Sequence, residues 1–170
     1  AKIFMNNLNV TVYCYHGIRV EENGEVVIDG GNYQFLKNIT TGSHSLLYAR
    51  GGDSSPSKAK ITIKNGMFTV KKHPDLPSDK NPERYMFNSN GDGREIYVEN
   101  GVFDTDYGVS AYNIKDKGVF CVSGGQFKIA FDTKYLASGY EFDQNENPGY
   151  YTVVKAWTAP LPDLEEGDSF

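Results

Sequence analysis

The chain has 170 residues, a formal net charge of −5 and 14% aromatic residues. One domain of ordinary size can bury a real core at this length. No basic stripe is present to neutralise a phosphate backbone, which argues against a nucleic-acid partner, and no apolar run reaches membrane-spanning length. Position 1 is Ala, which fits a removed start methionine, a processed chain or an excised domain equally well.

In chain order, Ile3-Phe4-Met5 and Val10 to Tyr15 read as strand from the outset, followed by Gly17-Ile18-Arg19-Val20. Next comes Ile28 to Tyr33 (IDGGNY), preceded by Val26 at strand spacing. Ser45 to Ala49 (SLLYA) is a second strand type, and Gly51 to Lys60 (GGDSSPSKAK) has the composition of an exposed loop. Ile61 and Ile63 to Phe68 (IKNGMF) repeat the first pattern, and Lys71 to Pro82 (KKHPDLPSDKNP) is a second loop. Arg84 to Asn88 (RYMFN) repeats the second strand type. Ile96 and Val98 to Phe103 (VENGVF), then a strand over Gly108 to Tyr112 (GVSAY), then Phe120 and Val122 to Phe127 (VSGGQF) continue the alternation. Helical spacing is confined to Asp132 to Tyr140 (DTKYLASGY), two turns at most.

The four glycine units share one reading. The hydrophobic residues two apart form a strand with one buried face. The Gly-Gly or Asn-Gly pair turns a corner, because these residues tolerate unusual backbone angles. The following Tyr33, Phe68, Phe103 or Phe127 occupies the same place in each unit, so the rings are expected to be buried and stacked. Gly31, Gly66, Gly101 and Gly125 stand 35, 35 and 24 residues apart; the shortest step is the bare unit, and the longer steps carry surface insertions. Strands separated by corners pair with their counterparts in the next unit, in parallel. The expected fold is all-β, a parallel β-helix over residues 1 to 155.

Cys14 and Cys121 lie three or four such layers apart. At about 4.8 Å per layer that is roughly 15 to 20 Å, against a limit of about 7 Å between α-carbons, so no bridge is expected. For catalysis the acidic candidates are Asp29, Glu99, Asp104 and Asp106. Asp29 falls in the column of Lys64, Glu99 and Ser123, and Asp104 in that of Gln34, Thr69 and Lys128, so neither column stacks carboxylates on successive layers, apart from Asp29 and Glu99 with the Lys64 layer between them. His16, His44 and His73 adjoin no nucleophile motif. No catalytic residues and no cofactor are expected. Asn88, Asn90, Asp92 and Glu99 stand at the first, third, fifth and twelfth places of a calcium-loop spacing, with Gly93 at the sixth. Asn in first place, Glu95 in eighth and strand-like flanks favour a plain turn.

Phe127-Lys128, then Asp132 to Tyr140, then Gly149-Tyr150-Tyr151-Thr152-Val153-Val154-Lys155 carry a resemblance. Together they are similar to the C-terminal rung and cap of right-handed parallel β-helix repeat proteins of gut bacteria and their phages, in which an SGGTF unit, a YLADGY-like turn and a GTYTV strand recur in this order. Gln126 stands where Thr is usual. The resemblance covers most of residues 17 to 155. It implies a right-handed parallel β-helix with a cap at about 130 to 155, and surface or virion architecture rather than catalysis.

The expected function is therefore that of a non-enzymatic structural or assembly protein. In this reading it is a decoration, fibre or appendage component of a phage virion that displays loops and mediates attachment. The alternatives are an adhesin domain at a gut bacterial surface or outside the cell, and a carbohydrate-binding or carbohydrate-active β-helix module with Tyr107, Tyr112, Tyr150 or Tyr151 as sugar platforms. Partners are expected to be a protein or further copies of the chain, with surface glycans second, held through exposed strand edges and the tail 156 to 170. In the tail Trp157, Leu161 and Leu164 are the interface candidates, because its prolines forbid a regular strand and its apolar residues disfavour solvent.

Overall fold

A computed structural model describes residues 1–13, 15–35, 44–50, 58–72, 83–115, 117–144 and 147–158. In chain order the strands are β1 (Lys2–Val12), β2 (His16–Val20), β3 (Glu25–Phe35), β4 (His44–Arg50), β5 (Ala59–Val70), β6 (Arg84–Asn90), β7 (Arg94–Val98), β8 (Val102–Thr105), β9 (Tyr112–Ile114), β10 (Val119–Val122), β11 (Gly125–Phe127), β12 (Tyr140–Asp143) and β13 (Tyr151–Lys155). Among the described residues they form a nine-stranded and a four-stranded sheet. The chain is all-β.

In the larger sheet β1, β3 and β5 lie side by side in parallel, and β5 then pairs with β7 along its first half and β8 along its second. β10 and β11 continue the two halves, again in parallel. The smaller sheet runs β2, β4, β6, β9, parallel throughout. The register places Met5, Ile28, Ile63, Val98 and Val122 in one row and Val10, Tyr33, Phe68, Phe103 and Phe127 in another.

The second row is an aromatic stack, as the repeat implies. Ring centroids are 5.0 Å apart for Tyr33 and Phe68, 4.9 Å for Phe68 and Phe103, and 4.7 Å for Phe103 and Phe127, with planes within 13° of parallel. All four rings are buried, each contributing roughly 1.5 to 3 kcal/mol by burial alone. Phe87 meets Phe103 from the smaller sheet at 5.2 Å, joining the two sheets in one core.

A fifth copy of the unit, which the glycine pattern does not announce, opens the chain. Met5 to Val10 (MNNLNV) pairs in register with Ile28 to Tyr33, although it has neither glycine nor ring. Asn7 adopts φ 49° at the corner, a conformation asparagine tolerates better than most residues.

Three expectations need correction. Gly108 to Ala111 is a 3-10 turn, and β9 begins only at Tyr112. Gly108 has φ 63°, and Ser110 donates its hydroxyl to the Tyr107 carbonyl at 2.6 Å, which winds the segment up. Asp29 pairs with Asn65 rather than Lys64, through a register shift at the corner. There Gly30 and Gly31 both take positive φ, whereas in the next unit Gly66 alone does so. In the segment Asp132 to Tyr140 only Thr133–Tyr135 winds, as a 3-10 turn whose first turn is closed by Asp132 accepting from the Lys134 amide at 3.0 Å.

The C-terminal end of the larger sheet reverses direction. β13 runs antiparallel to β11, and β12 antiparallel to β13. Phe131 meets Phe127 edge-on at 4.8 Å and 79°, and Phe142 meets Phe131 at 5.0 Å, so the parallel ring stack ends in perpendicular contacts.

Candidate assembly surface

The other end of the same sheet is unlike it. β1 has β3 on one side, and among the described residues no strand on the other. A free strand edge offers unpaired amides and carbonyls to any chain that can extend beside it. Ile3 and Met5 stand over Val26 and Ile28, and Val10 over Tyr33, so these residues head the rows of the core. Nothing described lies above them. Ile3 is 56% exposed, Phe4 64% and Leu8 43%, while Val12 is buried. Tyr13 and Tyr15 follow, both about 60% exposed. Among the described residues an unpaired edge and an uncovered apolar end thus coincide. Lys2, salt-bridged to Glu25 at 2.9 Å, is the sole charged side chain of β1.

On the outer face beyond the corner the side chains form short polar ladders. Asn32 donates to Asn9 at 2.8 Å and Gln34 to Thr11 at 3.0 Å. Farther along, Lys71 donates to Asp104 at 2.6 Å and to Asp106 at 2.9 Å. Burial opposes the charge on Lys71, but the hydrogen bonds to Asp104 and Asp106 outweigh it and raise the lysine above its ordinary pKa. Both carboxylates thus share one ammonium. Asp29 and Glu99 are exposed on separate strands or corners. His16 and His44 lie in neighbouring strands β2 and β4. Burial first, then Arg19, lowers the His16 pKa. His73 lies outside the described residues.

Of the four tyrosines considered as sugar platforms, Tyr112 is excluded. It is a core residue, 9% exposed, donating its hydroxyl to the Ile129 carbonyl at 3.0 Å, and burial pushes its pKa well above the ordinary value. Tyr107 is half-buried, with the Lys72 ammonium 5.7 Å from its ring centroid. Tyr150 and Tyr151 line a recess of about 300 Å³ with Lys128, Gln144 and Gly149. The Lys128 ammonium lies 5.0 Å from the Tyr150 centroid.

Of the calcium-loop residues, Asn88 and Asp92 have side-chain partners elsewhere. Asn88 is buried, donating to Ser45 at 3.0 Å and accepting from Asn113 at 3.2 Å. Asp92 pairs with Lys117 at 3.3 Å, Asn90 contributes its place in β6, and Glu99 follows β7 in the other sheet. Among the described residues no group of three or more His, Cys, Asp or Glu is placed to hold a metal ion. Cys121 is a half-buried free thiol, and Cys14 lies outside the described residues. Trp157 is 80% exposed just past β13; Leu161 and Leu164 lie outside the described residues.

Sequence reasoning gave the N-terminal edge but not its full extent. The signal for the extra unit was present in Asn6-Asn7, a corner pair 23 residues before Asp29-Gly30. No family model, no curated protein and no solved structure matches the chain.

Proposed function

We propose that the chain is a right-handed parallel β-helix acting as a non-enzymatic structural protein, which assembles with further copies of itself through the β1 edge. The observation that carries this reading is the coincidence at β1 of a free edge with Ile3, Phe4 and Leu8 exposed beside the uncovered ends of the core rows. Two β1 edges meeting antiparallel about a two-fold axis would pair their amides and bury these apolar side chains together. Lys2 is the only charged side chain that β1 brings to the contact. The resemblance to β-helix proteins of gut bacteria and their phages supports a place in a virion, as a decoration, fibre or appendage component, ahead of a bacterial surface or extracellular adhesin. The tail beyond Lys155 is a second contact in this reading, with Trp157 as its anchor.

The test is the native mass by sedimentation over a range of concentrations, for the wild type and for Ile3→Lys/Phe4→Lys. A wild-type mass of two chains or more that falls to one in the variant, at unchanged melting temperature, supports the proposal. A wild type that stays a single chain throughout overturns it. Absence of catalysis is tested on pectin, alginate and chondroitin; release of reducing or unsaturated ends, abolished by Asp104→Asn or Asp106→Asn, would make the protein an enzyme.

A second reading has one specific observation behind it, the recess between Lys128, Tyr150 and Tyr151. An aromatic face beside a cation and an amide suits a glycan contact. Glycan-array binding lost in Tyr150→Ala would establish it.

A further inference from the structure

Arg84, the first residue of β6, is the largest fully buried side chain, 1% exposed. Its guanidinium lies over Phe35, 5.3 Å from the ring centroid, and Nη1 donates to the Lys71 carbonyl at 3.3 Å. Nε and Nη2 have no hydrogen-bond partner. Among the described residues no carboxylate pairs with Arg84. Asp104 and Asp106 are taken by Lys71, and Glu83, its neighbour in the chain, accepts from the Tyr85 hydroxyl at 2.5 Å. A buried charge without a counter-charge is strongly unfavourable, and so is each buried donor left unpaired.

The two idle nitrogens have a shape. Nε and Nη2 form the side-on fork of the guanidinium, whose parallel N–H bonds match two oxygens of one carboxylate, phosphate or sulfate group. A second idle donor lies near. The Tyr107 hydroxyl is buried without a partner; Arg84 Nη1 reaches the Lys71 carbonyl, and the ammonium of the next residue, Lys72, lies 5.7 Å from the Tyr107 ring centroid. Lys72, over the Tyr107 ring, adds positive charge at the same corner. Two guanidinium donors and a hydroxyl, all buried without a partner, are groups that the oxygens of an anion would satisfy.

We infer that the Nε and Nη2 face of Arg84, with the Tyr107 hydroxyl, binds a single oxyanion group, a carboxylate, phosphate or sulfate, of a ligand from outside the chain. The site is separate from the β1 edge and stands or falls without it.

The experiment is thermal unfolding of the full chain titrated with sodium phosphate, sodium sulfate and sodium acetate, each against sodium chloride at matched ionic strength. The wild type is compared with Tyr107→Phe and with Arg84→Lys, which keeps the charge but loses the fork. The expected result is a saturable rise in melting temperature with at least one oxyanion and none with chloride. Apparent affinity should fall about tenfold or more in Arg84→Lys and measurably in Tyr107→Phe. If Arg84→Lys fails to fold, Tyr107→Phe still decides, because its ring stays in place. An equal rise in the wild type and Tyr107→Phe overturns the site. So does the absence of any saturable rise in the wild type, including the case in which a rise appears only in Asp75→Asn or Asp79→Asn, where a carboxylate of the chain itself already fills the fork.

Discussion

Phe68 and Phe103 are 35 residues apart in sequence and lie face to face, with centroids 4.9 Å apart and planes within 9°. Phe103 is the middle of the stack, with Phe68 on one side and Phe127 on the other, and Phe87 against it from the smaller sheet. Phe103→Ala should therefore cost about 3 to 5 kcal/mol, measured by urea unfolding. Val10→Ala, at the uncovered end of the same row, should cost clearly less. Equal losses at the two positions would show that the row is not the continuous element described.

Gly31 and Gly139 both take positive φ, 96° and 79°. A methyl group on Gly31 would come within 2.1 Å of the Leu8 carbonyl oxygen, whereas nothing lies within 4 Å of one on Gly139. Gly139→Ala then carries backbone strain alone, about 1 to 2 kcal/mol. Gly31→Ala adds a backbone clash that only movement of β1 relieves. Its loss should exceed that of Gly139→Ala, with β1 amides losing hydrogen-exchange protection first.

Tyr112 and Lys71 both contribute to the alkaline limb of stability. Burial raises the Tyr112 pKa, and the hydrogen bonds to Asp104 and Asp106 raise that of Lys71 against the opposing effect of its burial. In both cases the unfolded chain gives up its proton first. The stability they contribute is complete below about pH 10 and drains away as pH rises from there towards the folded values. Tyr112→Phe should cost about 0.5 to 1.5 kcal/mol at pH 7, for the lost bond to the Ile129 carbonyl. Its melting temperature should then decline less steeply than that of the wild type above pH 10; parallel declines would remove Tyr112 as a source.

Trp157 at 80% exposure touches too little to support the fold. Trp157→Ala should leave the unfolding free energy of a single chain within about 0.5 kcal/mol. If the tail docks on a partner, the same substitution weakens assembly. A marked drop in single-chain stability would instead mean that the tail closes its own sheet.

The aromatic row was legible because the glycine corners fix its phase: once Gly31, Gly66, Gly101 and Gly125 are aligned, Tyr33 and the three phenylalanines fall into place. The opening unit was hidden because Asn7 replaces glycine at the corner and Val10 replaces the ring. Gly108 to Ala111 was misread as strand because apolar residues alternate there, while the left-handed Gly108 decides the local winding. Tyr112 and Tyr150 look alike in sequence. Only packing tells the core residue from the one at a recess. Arg84 was invisible as a special residue, since neither its burial nor the idleness of its fork has any local signature.

The register of the core does not depend on how much chain lies between paired strands. Tyr33 and Phe68 are 35 residues apart and Phe103 and Phe127 only 24, yet their rings are spaced within 0.3 Å of each other. Length is thus uncoupled from architecture at the connections. Foreign peptides grafted within residues 51 to 57 should leave the rows undisturbed, and a scaffold with that property can diversify what it carries without renegotiating how it folds.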